Sequence, residues 1–359
     1  MSRDFVISID AMGGDRGPAA IVDGMARSAR KNNEIGFIVH GDAEKLEKLV
    51  RKRGLADICQ IRNTPDVVAM DEKPSVAMRK GRDSSMWHTL QAVATGEARV
   101  ALSSGNTGAL MAMSMLVLRK APGVDRPAIA VLWPAEKPQG FNVVLDMGAD
   151  VRADPRNLLE YAVMGAEYAR LGLGIQQPRV GLLNVGTEKT KGRAQLAEAD
   201  DVLLEFAARE GADLTYRGYV EGNDIPGDKV DVVVTDGFTG NIALKTAEGT
   251  AAFIRKALKD AFAHSPLSRF GALFALTSLK RMQRRIDPRR VNGGVFLGLN
   301  GAVVKSHGGA DATGFSSAIK LAFQMAKTDF SQRVAQQVAK LAAERDTPGA
   351  ESGAVRGNA

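Results

Sequence analysis

The sequence holds a single cysteine, Cys59, so no disulfide can close within the chain and no thiolate zinc cluster can be built. That usage fits a reducing, cytoplasmic setting. Its four histidines, His40, His88, His264 and His307, lack the i, i+4 spacing that sets two imidazoles on one helical face, and they predict no metal centre. No run of about 18 apolar residues occurs, which argues against a spanning helix. The opening "MSRDFVISID" predicts no secretory signal. No G-x-x-x-x-G-K-[ST], G-x-G-x-x-G or G-x-S-x-G pattern is present, so nucleotide cofactors and a serine acyl-enzyme lose their usual support. The expectation is a protein with no metal and no cofactor.

What the chain does contain is a rhythm. Short apolar runs ending in Gly or Asp, such as "DFVISID", "GFIVHG" and "ARVALSSG", alternate with helical patterns over 17–32, 42–53, 75–95 and 107–119. That alternation predicts a three-layer α/β/α fold around a mostly parallel sheet. "AIAVLWP" and "FNVVLDMG" interrupt it, separated only by "AEKPQG". A hairpin there would make the sheet mixed. Residues 1–330 then read as one catalytic α/β unit, and 331–359 as a C-terminal helix followed by a disordered tail.

Ligands of open α/β sheets bind beyond the carboxyl ends of strands. Six such ends carry Gly, Asp, Asn or Thr: 10–18, 103–108, 146–150, 184–192, 221–224 and 235–241. If the βα order holds throughout, all six open on one edge and line one cleft. For each loop the ordinary use is turn chemistry and helix capping. Ser104, Gly105, Asn106, Thr107 and Gly108 form the best anion candidate, because the two glycines admit close backbone approach and a helix is expected to begin at about Gly108. In "NVGTEKTKG", Lys189 reads as solvated, whereas Lys191 precedes Gly192 and can be aimed into the cleft. Asp236, Thr239 and Asn241 stand at a further helix start, with capping by Thr239 as the ordinary reading.

The net charge of +7 is concentrated: residues 265–290 hold seven Lys or Arg against Asp287 alone. Within this helical insertion Leu276, Leu279, Met282 and Ile286 share one arc, and Lys280, Arg281, Arg284 and Arg285 the other. Phe270, Leu273 and Phe274 make its first half apolar nearly all round. A second subunit, an anionic membrane surface and nucleic acid compete for this segment, in that order of fit.

Taken together, "DAMGGDRGP", "SSGNTGALM", "VVLDMGAD", "LLNVGTEKTKG", "VDVVVTDGFTGNIALKTAEG" and "LGLNGAVVKSHG" resemble the PlsX family of bacterial phosphate acyltransferases, in collinear order from about Phe5 to Phe330. The resemblance implies a fold similar to the phosphotransacetylases and the isocitrate and isopropylmalate dehydrogenases. It implies transfer of a fatty acyl group from acyl carrier protein to inorganic phosphate, giving acyl phosphate for phospholipid synthesis. A homodimer, peripheral association with the inner face of the cell membrane, a downstream glycerol-3-phosphate acyltransferase as a partner and no nucleic acid are implied with it. Asp150 and Asp311 stand where the family pattern has Asn, and Asn or Ser.

On this reading phosphate is the nucleophile, and Ser104–Gly108 are expected to hold it. Lys191, Asp236 and Asn241 are the expected catalytic residues, Lys191 offsetting the charge of the phosphate or of the oxyanion, and Asp236 and Asn241 orienting the thioester end of the acyl arm. Asp10, Gly13, Gly14, Asp15, Asp146, Asn184, Glu188 and His307 are expected to contact substrate. Phe270, Leu273, Phe274, Leu276, Leu279, Lys280, Arg281 and Arg284 are expected to meet lipid or the second subunit.

Overall fold

The computed structural model describes residues 4–265 and 293–346 and, between these spans, 267, 270, 271, 274, 275, 277 and 278. The chain begins β1 (Phe5–Asp10), α1 (Gly17–Ala29), β2 (Ile35–Gly41), α2 (Ala43–Lys52) and β3 (Cys59–Asn63), as the alternation of apolar runs predicts. The pattern over 75–95, expected as one helix, is two: α3 (Pro74–Lys80) and α4 (Ser85–Ala94), separated by a 3-10 turn at Gly81–Asp83. Ser84 causes the break. Its hydroxyl donates to the Gly81 carbonyl at 2.6 Å and accepts from the Trp87 amide at 3.2 Å, ending one helix and capping the next.

β4 (Val100–Ser103) and α5 (Thr107–Val117) follow, then the hairpin of β5 (Ala128–Pro134) and β6 (Phe141–Leu145) that the short "AEKPQG" connection predicts. The second half runs α6 (Pro155–Leu173), β7 (Arg179–Leu183), α7 (Ala194–Ala207), β8 (Thr215–Val220), β9 (Val232–Val234) and α8 (Gly237–Ala263). β10 (Gly294–Leu297), β11 (Ala302–Lys305), α9 (Ala312–Lys327) and α10 (Phe330–Asp346) complete the described chain. At α6, Asp154 and Asn157 cap each other's backbone amides ahead of Pro155, a start signal worth about 1 kcal/mol.

The eleven strands among the described residues join one sheet in the order β3-β2-β1-β4-β11-β10-β5-β6-β9-β7-β8. Its inner strands, such as β1, β4, β6, β9 and β11, are largely buried on both faces, which is why they read as apolar runs rather than alternating, whereas the edge strands β3 and β8 are partly exposed. One face packs against α1, α2, α6, α7, α9 and α10 through residues such as Met25, Tyr161, Leu203 and Phe315. α10 belongs to this layer, because Phe330, Val334, Val338 and Leu341 are buried in the same core. The other face packs against α4, α5 and the start of α8 through Met86, Leu110, Met113 and Leu244. The result is a three-layer α/β/α fold with a mixed sheet.

The hairpin has a consequence for the strand ends. β1, β2, β3, β4 and β11 run parallel, and β6, β9, β7 and β8 are parallel to one another, but β5 and β6 are antiparallel and β10 runs against both its neighbours. The whole β6-β9-β7-β8 group therefore points opposite to β1-β4-β11. The expectation that all six loops share one edge is overturned. They form two rims, and the short turn between β5 and β6 is the physical reason, because it reverses the chain direction for every parallel strand added after it.

Candidate active site

The first rim is built by the turns after β1, β4 and β11, three neighbouring parallel strands in which Asp10 and Lys305 both pair in register with Ser103. Asp10 is buried. Its carboxylate accepts from the hydroxyls of Ser85 and Ser103, each at 2.6 Å, and from the amides of Met12 and Gly13. Ser103 Oγ also accepts from the Gly105 amide at 3.0 Å, and Ser104 Oγ donates to the Gly13 carbonyl at 2.9 Å. The Asp15 amide reaches the Gly308 carbonyl at 2.9 Å, tying the third turn to the first.

Glycine is required where these backbones meet. A Cβ on Gly13 would lie 2.7 Å from the Gly105 nitrogen, and one on Gly14, whose φ is +93°, would lie 2.9 Å from the Gly308 carbonyl oxygen. Asn106 caps α5: Oδ1 accepts from the Ala109 amide at 3.1 Å while Nδ2 donates to the carbonyls of Met70 and Glu72. Its side chain is thus used for capping and for holding the 70–72 loop. The helix begins at Thr107, one residue before the expected start, and Thr107 and Gly108 are exposed. Amides at these first positions have no intrahelical acceptor and sit at the positive end of the helix dipole. His307 Nδ1 accepts from the Gly309 amide at 3.0 Å on the same rim.

Sequence reasoning passes over Lys305. It closes β11 after the apolar Ala302, Val303 and Val304, and only 9 % of its surface is exposed. Its ammonium donates to the Ser306 carbonyl. Burial lowers its pKa to about 8 against the opposing pull of Asp10 and Asp15, and the Lys245 ammonium on α8 pushes in the same direction as burial. A lysine ending a sheet-centre apolar run is the signal that could have found it.

The second rim follows β6, β7, β8 and β9. Asp146 is wholly buried and accepts from the amides of Ile129, Gly148, Ala149 and Asp150, so it folds the 146–150 loop back on itself. Burial pushes its pKa up to about 6, opposed by these amides. Asp236, not Thr239, caps α8, accepting from the Thr239 amide at 2.7 Å, and it forms an ion pair with Arg193. The helix accordingly starts at Gly237, three residues before the expected start. Asn184 donates to the Lys191 carbonyl at 3.0 Å and so holds the 184–192 loop. Lys191 pairs with Glu188 at 2.9 Å with 53 % of its side chain exposed, and Lys189 meets Asp200 and Asp201. Asn241 is exposed in the first turns of α8, next to Gly148.

The structure therefore brings Asp10, Gly13, Gly14, Asp15, Ser104, Gly105 and His307 together, and separately Asp146, Asn184, Glu188, Lys191, Asp236 and Asn241. α8 links the two groups, since it starts on the second rim and brings Lys245 close enough to act on Lys305. In the basic segment Phe270 and Phe274 are exposed and touch edge to face at 5.3 Å. Leu273, Leu276, Leu279, Lys280, Arg281 and Arg284 lie outside the described residues, as does the tail beyond 346. Among the described residues no helix is long and apolar enough to cross a membrane.

This architecture is that of the phosphotransacetylases: it matches a phosphotransacetylase from Streptococcus pyogenes with a TM-score of 0.60 over 91 % of this chain and 95 % of that one, at 19 % identity. The likeness defines the fold. The family model described as "Fatty acid synthesis protein" matches residues 5–333. The phosphate acyltransferase of Jannaschia sp. (strain CCS1) is 61 % identical over 341 residues, 95 % of this chain and 93 % of that protein. That of Paracoccus denitrificans (strain Pd 1222) is 62 % identical over 339 residues, covering 94 % and 91 %. The chain belongs to this family and is an acyltransferase.

Proposed function

We propose that the protein moves a fatty acyl group from the thioester of acyl carrier protein to inorganic phosphate, releasing acyl phosphate and the free thiol. A phosphate oxygen attacks the thioester carbonyl carbon, the tetrahedral oxyanion collapses, and the C–S bond breaks with its electron pair leaving on sulfur. Because phosphate is the nucleophile and a thiolate leaves readily, the protein's work is to hold two reactants together and to stabilise the oxyanion. The observation that carries this reading is the first rim, where the glycine-crowded turns after β1, β4 and β11 meet beside the exposed first residues of α5, Thr107 and Gly108, whose amides have no intrahelical acceptor.

Ser104–Gly108 take the phosphate in this reading. Lys191, Asp236 and Asn241 take the acyl arm from the second rim, and α8, which runs from that rim to Lys245 near Lys305, leads the thioester to the phosphate on the first. The test is mass spectrometry of products from palmitoyl carrier protein and phosphate, beside palmitoyl-CoA and phosphate. Acyl phosphate from the carrier protein is expected. Product from the coenzyme A thioester alone would replace this donor with a nucleotide one.

α8 supports a homodimer: beyond Gly237 and Gly240 it buries no residue, and it exposes Phe238, Ile242, Phe253 and Ile254. A helix of that length without a core-facing stripe calls for a partner. Light scattering should give twice 38.2 kDa, and a monomer mass at micromolar concentration would refute the dimer. The exposed Phe270 and Phe274 beside a basic run support peripheral attachment to the inner face of an anionic membrane. Sedimentation with anionic and with neutral liposomes checks it, and equal binding to both would refute the charge-based reading.

A further inference from the structure

We propose that Lys305, and not Lys191, is the counter-charge of the phosphate nucleophile, held by β11 against the turn that receives the anion. This rests on the reading that inorganic phosphate is a substrate.

The argument is one of unbalanced charge. Among the described residues no carboxylate lies within ion-pair distance of the Lys305 ammonium, whose hydrogen bond goes to the neutral Ser306 carbonyl. The nearest buried acid on the rim, Asp10, is already occupied by two serine hydroxyls and two amides. A buried cation without a partner is costly, and proteins keep one where a ligand completes the pair. Lys245 adds positive potential at the same place. Lys305 is joined to the phosphate turn directly: it pairs in register with Ser103, and the Ser306 amide donates to the Ser103 carbonyl at 2.8 Å. The buried ammonium, the Ser104 and Gly105 turn and the first amides of α5 thus share one edge. A dianion of tetrahedral shape fits such a mixture of one full charge and several fixed donors. Lys191, by contrast, is exposed, already paired with Glu188, and stands on the rim where the strands point the other way.

The test is steady-state kinetics of the full chain with varied phosphate, beside calorimetric titration with inorganic phosphate, for the wild type, Lys305→Met, Lys305→Arg and Lys191→Ala. Lys305→Met should raise the phosphate KM roughly 10- to 100-fold, the loss of a charge-assisted contact, and leave the thioester KM nearly unchanged. Lys305→Arg should recover part of the phosphate affinity. Lys191→Ala should lower kcat and leave the phosphate KM nearly unchanged. A readout that needs no variant is the pH dependence of phosphate binding to the wild type. The groups acting on the ammonium are Asp10 and Asp15 from the turn after β1 and Lys245 from α8, and His307 stands two residues further along its own turn. With its pKa at about 8, the lysine loses its charge as pH rises through that value, and phosphate affinity should fall with it. Phosphate affinity that is flat from about pH 7.5 to 9.5, or an unchanged phosphate KM in Lys305→Met, overturns the assignment. A wild type that makes acyl phosphate while Lys305→Met matches it sinks this inference alone. A wild type that neither binds phosphate nor makes acyl phosphate sinks the functional reading as well.

Discussion

The two rims are made from similar residues and behave as opposites. On the second, every acid or base named has a protein partner: Asp236 has Arg193 and the start of α8, Lys191 has Glu188, and Asp146 has four amides. On the first, Asp10 is matched by hydroxyls and amides, while Lys305 is buried near it and, among the described residues, bonds only to a carbonyl. The comparison teaches where to look for a missing ligand. Exposed charged loops attract attention in a sequence, yet their charges are balanced by neighbours or by water. The buried charge left over marks the place where the protein relies on something else to arrive.

That contrast can be broken most severely at the second rim. Gly240→Val would drive a side chain into the Asp146 carbonyl, against backbone that cannot yield. A loss on the order of 4 kcal/mol is expected, read as a lower denaturation midpoint. A variant as stable as the wild type would show that the α8 and 146–150 contact is loose. An effect of opposite sign sharpens the first rim. Burial holds Lys305 below its ordinary pKa of 10.5, at about 8, so the fold carries the full cost of that charge below pH 8 and is relieved of it progressively as pH rises from about 8 to 10.5. Lys305→Met in phosphate-free buffer at pH 7 should therefore gain stability, by up to a value on the order of 3 kcal/mol. Adding phosphate should stabilise the wild type more than the variant, and a destabilised variant would mean the ammonium is already well paired. Least of all should happen at Glu188. Glu188→Gln breaks an exposed pair, and its effect on folding stability should stay within about 0.5 kcal/mol. A larger loss would show that the 184–192 loop depends on its charges rather than on Asn184.

Much of the fold is legible in the residues alone. The layered architecture follows from apolar runs alternating with helical ones, and the β5–β6 hairpin from the shortness of "AEKPQG". Strand-end loops announce themselves through Gly, Asp and Asn, and Asn106 is a cap as well as a member of the anion turn. At α8 the pattern points to Thr239 and the structure to Asp236, because Asp and Thr are both good caps and only the helix start decides between them. The interruption at Ser84 escapes the pattern, since periodic apolar residues continue across it while the serine hydroxyl offers the backbone a competing bond.

The amino-acid order by itself determined which segments become strands and helices, which turns need glycine, and the family to which the chain belongs. These properties depend on residues near one another in sequence, where spacing and side-chain chemistry suffice. Only the tertiary structure decided that the loops divide between two edges and that Lys305 is buried with no counter-ion among the described residues. Strand direction across a sheet and the dielectric around an ammonium are set by chain segments far apart in sequence, brought together when the core closes.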